Sequence, residues 1–197
     1  MIVIDPGHGG KGDPGCTSSF GLKEAHVNLM VGLKLADMLR RDGARVILTR
    51  TADTFVASDD AVLDLAARAQ VANDANADLF ISIHHNDTLS KNDPRNDTQV
   101  YWKLDDQGRS RDFAKLLLPR LAASLNLPRQ QLFAGNFAVL RRNQRPSILG
   151  EAGYLSNPVT AKALSQSATQ QKEAEAYASA IRAYFDRGVP KIGDGRW

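Results

Sequence analysis

The stretch Met1-Ile2-Val3-Ile4-Asp5-Pro6-Gly7-His8 runs from an apolar segment into a Pro-Gly break. Such a run reads as a buried strand entering a turn. Residues 6–22 are rich in Gly, Pro, Ser and Thr and read as a long loop. Beyond the loop, Leu29, Met30, Leu33, Ala36 and Leu39 recur with charges between them. This spacing predicts an amphipathic helix over about 23–42, stopped by Gly43. The pattern then repeats: a strand at 45–49, a helix at 62–75 and a strand at 78–84 that reads Asp-Leu-Phe-Ile-Ser-Ile-His. A polar loop at 86–97 precedes a strand at 98–102 and a helix at 112–125. Further strands are expected at 137–140 and 147–151, and a last helix at 170–185. Strands alternating with helices predict an α/β fold, a mostly parallel sheet covered on both faces.

The chain has 197 residues, 43% hydrophobic and 24% charged, with no repeat, linker or low-complexity tract. One domain over 1–188 with a polar tail at 189–197 is expected. The excess of Lys+Arg over Asp+Glu is 25 − 22 = +3, without the dense basic block of a nucleic-acid binder. The single cysteine, Cys16, makes an internal disulfide or a Cys-rich zinc module impossible. Apolar runs are too short to span a membrane. No signal peptide precedes the first strand, which leaves a cytosolic protein, one exported by other means, or a domain of a longer precursor.

Ligands of open α/β sheets bind beyond the carboxyl ends of the strands. Three of the four histidines fall there: His8 after the first strand, His84 and His85 after the third. Two imidazoles and a carboxylate from separate elements make a catalytic zinc set with an open position for water. Asp5, Asp13, Glu24 and Glu151 are the carboxylate candidates, and Glu24 opens the first helix facing His8. The competing reading is surface histidines in loops. Gly7-His8-Gly9-Gly10-Lys11-Gly12 also matches G-x-G-x-x-G, but that fingerprint needs a helix to open within the glycines. Here Asp13-Pro14-Gly15 follow.

The ordered set Val3-Ile4-Asp5-Pro6-Gly7-His8-Gly9-Gly10, Glu24, Asn28-Leu29, Val46-Ile47-Leu48-Thr49-Arg50, Arg68, Ala72-Asn73 and Ala77-Asp78-Leu79-Phe80-Ile81-Ser82-Ile83-His84 carries a resemblance. It continues through Phe137-Ala138-Val139-Leu140, Pro146-Ser147-Ile148-Leu149, Glu151 and Leu155-Ser156-Asn157-Pro158. The chain resembles the zinc-dependent N-acetylmuramoyl-L-alanine amidases of the amidase 3 type. The resemblance implies one sheet of about six strands, and one catalytic zinc held by His8, Glu24 and His84. It implies Glu151 as general base and acid on a water held by zinc, cutting the amide between N-acetylmuramic acid and the L-alanine of the stem peptide.

Two positions depart from the family pattern. His85 stands where the family usually has Ala, and Gly150 stands where a β-branched residue often precedes the acid. Successive strand side chains point to opposite faces, so one histidine of the pair meets the metal, and the alignment favours His84. His85 and Asn86 are expected as substrate contacts, with a solvated His85 as the alternative. Asp5 is expected to brace the loop, His26 to be non-ligating, Arg68 and Asn73 to be structural, and Cys16 to be incidental. Some relatives insert a helix that plugs the zinc site. Here only 103–110 separate the fourth strand from the next helix, so an open site, no obligatory activator and a monomer are expected. The expected partner is peptidoglycan, with no nucleic acid and no membrane span. The expected setting is the periplasm or extracellular wall, as a domain lacking its export signal, or a phage lysin (an endolysin). A zinc peptidase cutting within the stem peptide and a wall-binding module without catalysis are the alternatives.

Overall fold

The computed structural model describes residues 1–188, and the polar tail expected at 189–197 lies outside the described residues. In chain order the elements are β1 (Ile2–Pro6), α1 (Glu24–Arg41), β2 (Val46–Leu48), α2 (Ala61–Asp74), β3 (Leu79–Asn86) and β4 (Thr98–Trp102). They continue with α3 (Arg109–Ser124), β5 (Gln130–Ala134), α4 (Ala138–Arg141), β6 (Ser147–Tyr154), α5 (Pro158–Leu164) and α6 (Ser167–Asp186). The strands form a six-stranded sheet in the order β2-β1-β3-β6-β4-β5. β2, β1, β3 and β6 run parallel, β4 pairs antiparallel with β6, and β5 is parallel to β4.

The alternation of side chains along the strands sorts the core into two layers. Ile2, Ile4, Ile81 and Ile83 point to the face that packs Val27 and Leu35 of α1, Leu117 of α3 and Ile181 of α6. Val3, Phe80 and Leu149 point to the other face, against Ala72 of α2 and Val139 and Leu140 of α4. This arithmetic also fixes the site. On β3 the even residues Ser82 and His84 share the Phe80 face, and on β6 Glu151 shares the Leu149 face. His85 belongs to the opposite face with Ile83.

The expected strand at 137–140 is a correction: these residues enter α4, with Phe137 as its N-cap. Four apolar residues in a row do not distinguish a strand from one buried turn of helix. Packing decides, since Val139 and Leu140 cover the smaller core layer. The sixth strand is instead β5, an edge strand that is half-exposed and begins with two glutamines. Helix α5 was likewise not anticipated. Its start is written in Asn157-Pro158, where the Asn157 side chain accepts from the backbone N–H groups of Val159 and Thr160.

Candidate active site

The chain leaving β1 is held by two buried arginines. Arg50 donates to the carbonyls of Pro6 (2.8 Å), Gly7 (3.0 Å) and Ala25 (2.7 Å). Arg68 donates to the carbonyls of Pro6 (3.0 Å) and His8 (2.9 Å) and pairs with Asp5 (2.9 Å) and Asp64 (2.7 Å). Asp5 also accepts from the hydroxyls of Thr49 (2.7 Å) and Ser82 (2.8 Å). Burial acts to raise the Asp5 pKa, but the Arg68 guanidinium and the two hydroxyls outweigh it and hold the carboxyl below its ordinary value. Its oxygens are committed, so Asp5 braces the loop. The brace holds His8 in the left-handed region, at φ 59°.

Three side chains converge above the strand ends. His8 Nε2 lies 3.3 Å from Glu24 Oε2, and His84 Nδ1 lies 3.0 Å from Glu24 Oε1. One ligand atom from each of the three falls within 4.8 Å of the others. Ligands on a tetrahedral zinc at about 2.0–2.1 Å lie roughly 3.3 Å apart, so this nitrogen and carboxylate set fits that ion. Two glycines make the approach possible. A Cβ on Gly7 would lie 2.1 Å from His84 Nε2, and one on Gly15 would lie 2.6 Å from Glu24 Oε2.

Contacts around the three ligands orient them. His8 Nδ1 meets Asp13 Oδ1 at 2.6 Å, a carboxylate behind an imidazole. Glu24 accepts from the backbone N–H groups of Cys16 (3.0 Å) and His85 (3.1 Å) and from Asn28 Nδ2 (3.2 Å). Burial works against the Glu24 charge, yet His8 and His84 keep its pKa well below the carboxylate range. Burial likewise works against a charged His8, but Glu24 and Asp13 prevail and raise its pKa to about 9.

Glu151 sits beside this set because β6 pairs with β3 in a register that aligns Glu151 with His84. Its Oε2 is buried and has no protein hydrogen-bond partner. Burial first, and the Glu24 carboxylate second, push its pKa well above the carboxylate range, against the opposing pull of His8. A cavity of about 410 Å³ opens next to His8 and His84, walled by Phe55, Leu65, Phe137 and Leu149. The arrangement offers two imidazoles and a carboxylate for a metal, with a second carboxyl alongside whose pKa burial raises.

The remaining expected residues separate clearly. His85 is buried on the opposite face of β3, with Nδ1 2.8 Å from Asn28 Oδ1 and Nε2 3.0 Å from Glu173 Oε2. This corrects the expectation that it meets substrate or solvent, because both ring nitrogens are taken and the ring is inside. Asn86 is half-exposed and donates to Gln99 Oε1 (3.0 Å), whose residue aligns with Glu151 across β4 and β6. His26 is exposed on α1. Asn73 ties α2 to the chain after α4 through the Arg142 carbonyl and the Gln144 N–H. Cys16 contributes its backbone N–H to Glu24, and its thiol points at the carbonyls of His85 and Asn86.

The glycine loop opens no helix until Glu24, and the Gly10 N–H is taken by the Asp53 carboxylate at 3.0 Å. This is not a phosphate cradle. Sequence reasoning missed Arg50 and Glu173 as supports. It had Asp13 only as a ligand candidate, not as the partner of His8.

The family model described as N-acetylmuramoyl-L-alanine amidase (Amidase_3) matches residues 2–183. A relative named "Probable cell wall amidase LytH" from Staphylococcus saprophyticus is 35% identical, over 93% of this chain and 58% of its own length. The chain thus spans little more than half of that relative. Among solved structures, the catalytic domain of CwlV, an N-acetylmuramoyl-L-alanine amidase of Paenibacillus polymyxa, superposes with a TM-score of 0.83 at 34% identity. That match covers 94% of this chain and 97% of the other. The CwlD amidase of Clostridioides difficile, solved in complex with the GerS lipoprotein, gives a TM-score of 0.85 at 28% identity, over 94% and 98% of the two chains.

Proposed function

Because the chain belongs to the N-acetylmuramoyl-L-alanine amidase family, we propose that it is a zinc-dependent peptidoglycan hydrolase. It cuts the amide that joins N-acetylmuramic acid to the L-alanine of the stem peptide. The observation that carries this reading is the convergence of His8, Glu24 and His84 with the unpartnered Glu151 oxygen on the neighbouring strand. Zinc held by the three would supply an electrophile for the carbonyl, a water acidic enough to ionise near neutral pH, and positive charge that lowers the Glu151 pKa.

The chain's own residues do the rest. Asp13 holds His8 by Nδ1 and leaves Nε2 facing the site. Glu151 receives the proton of the attacking water at a carboxylate oxygen and delivers it to the departing amine nitrogen. The burial that raises its pKa suits the second half of that task, since a carboxyl that retains its proton is an effective acid. Asn86, half-exposed and bonded to Gln99, contacts the substrate. The connection from β4 to α3 is six residues, 103–108, too short for an inserted helix over the site, which supports an open site that needs no activator. Its place of work is the wall outside the cytoplasmic membrane, as part of an exported enzyme or a phage lysin. No helix among the described residues is long and apolar enough to cross a membrane.

The test is digestion of purified peptidoglycan with zinc content measured in parallel, for wild type and Glu151→Gln. The expected result is intact stem peptides with a free L-alanine N-terminus. The variant should keep its zinc and lose roughly 10²–10⁴-fold in turnover. Cuts inside the stem peptide would replace the substrate assignment with a peptidase. A zinc-free wild type that binds wall without cutting would replace the enzyme with a binding module.

A further inference from the structure

Behind the metal ligands, on the face of the sheet away from the cavity, lies a line of buried polar side chains that the reaction does not use. It starts at Glu24 Oε1, which accepts from Asn28 Nδ2 at 3.2 Å. The same amide nitrogen donates to the Gly7 carbonyl at 3.1 Å. With its nitrogen facing two acceptors, Asn28 must turn its oxygen to His85, 2.8 Å from Nδ1. His85 Nδ1 therefore carries the proton, and Nε2 meets Glu173 Oε2 at 3.0 Å. Asn28 and Glu173 are both 0% exposed and His85 is 2% exposed. Three elements are joined in this way: α1 carries Glu24 and Asn28, β3 carries His84 and His85, and α6 carries Glu173.

We propose that Glu173 is a positioning residue for the metal site, acting through His85 and Asn28 to fix the orientation of the Glu24 carboxylate. An ion pair buried this completely is weak evidence of stabilisation, because desolvation offsets its attraction. Its directional content is what remains. A charged partner aimed at one ring nitrogen fixes the imidazole, the imidazole fixes the amide flip of Asn28, and the amide fixes which Glu24 oxygen is held. Partners behind metal ligands govern ligand orientation and metal affinity in this manner. The His85 backbone N–H also donates to Glu24 Oε1, at 3.1 Å, so the ring and the backbone of one residue converge on the same carboxylate. Glu173 enters from the last helix, far along the chain from every ligand.

The inference rests on the zinc amidase reading, and the experiment separates the two. Zinc affinity is measured by competition with a chelator, and kcat and KM on peptidoglycan fragments, for wild type, Glu173→Leu and Glu173→Gln. Glu173→Leu should weaken zinc by about tenfold or more, the lower bound for lost outer partners of a metal ligand, and reduce kcat with KM unchanged. Glu173→Gln can still bond His85 and should restore zinc affinity to within a few-fold of wild type. Ile181→Val, which thins the packing of α6 without touching this line, should lower stability and leave zinc affinity alone.

In an Asn28→Ala background, Glu173→Leu should cost much less zinc affinity than it does alone, because the side-chain route to Glu24 is already cut and only the His85 N–H remains. If Glu173→Leu does not fold, the apolar pair His85→Leu with Glu173→Leu replaces both partners and should weaken zinc in the same way. Zinc affinity unchanged in whichever of these folds, or losses that add fully in the double variant, would overturn the positioning role and leave the amidase reading intact. A wild-type protein that binds no zinc would overturn both.

Discussion

Gly7 and His8 show how closely the site is drawn around single residues. Gly7 is not in the left-handed region, so its role is space: a Cβ there would lie 2.1 Å from His84 Nε2 and 2.2 Å from His84 Cε1. Gly7→Ala should therefore displace the His84 ring and weaken zinc by about tenfold or more; chelator competition reads the loss. His8 predicts a pH dependence whose sign follows from its partners. Its pKa rises from the ordinary 6.5 to about 9 in the metal-free protein, as Glu24 and Asp13 outweigh the effect of burial. A raised value means that the charged His8 contributes stability in full below pH 6.5 and that this contribution fades as pH rises through about 9. Zinc must displace that same proton, so apparent zinc affinity should climb by up to about tenfold per pH unit across this window and flatten above it. Titration calorimetry at several pH values would show it, and a flat profile would mean that His8 is already neutral.

At the scale of elements, the helices are what hold the strand ends in place, and α2 is the clearest case. Arg68 reaches from α2 to Asp5 on β1, to Asp64 one turn earlier, and to the carbonyls of Pro6 and His8. Replacing it with Met removes the partner of a fully buried carboxylate, which costs roughly 3–5 kcal/mol. Urea unfolding of Arg68→Met should show that loss, together with weaker zinc binding, because the His8 carbonyl is released too. The four residues proposed to hold zinc and move the proton could be singled out in the sequence. Three follow or end expected strands, Glu24 opens α1, and their order matches the family motif. Of their supports, Asp5 and Arg68 could be marked as structural, and the others could not. Nothing in the spacing of Glu173 and His85 announces that α6 will bring Glu173 against His85, and Arg50 reads as one more basic residue until its carbonyl partners are seen. The same limit explains 137–140, where an apolar run too short to show a period became α4 through the packing of Val139 and Leu140. For β5, half-exposed at the sheet edge, no buried face existed to write an alternation.

For the whole molecule, the question is whether zinc builds the fold or occupies a place the fold already provides. His8 comes from the loop after β1, Glu24 from the start of α1 and His84 from β3, so the ion would tie three segments together. Each segment is also fixed by contacts that involve no metal: Arg50 and Arg68 on the His8 loop, Asn28 and the His85 N–H on Glu24, and the β1 and β6 pairings on β3. The two core layers contain no ligand side chain. Zinc should then stabilise only by mass action, about 2.7 kcal/mol at a free concentration of 100 Kd. At roughly 2–4 °C per kcal/mol for a domain of this size, that is a rise in Tm of about 5–11 °C. Exhaustive chelation should leave the far-ultraviolet circular dichroism unchanged, lower Tm by that amount and abolish activity, with recovery on adding zinc. Loss of secondary structure on chelation would show instead that the ion organises the strand ends, as it does in small zinc domains whose cores cannot fold alone.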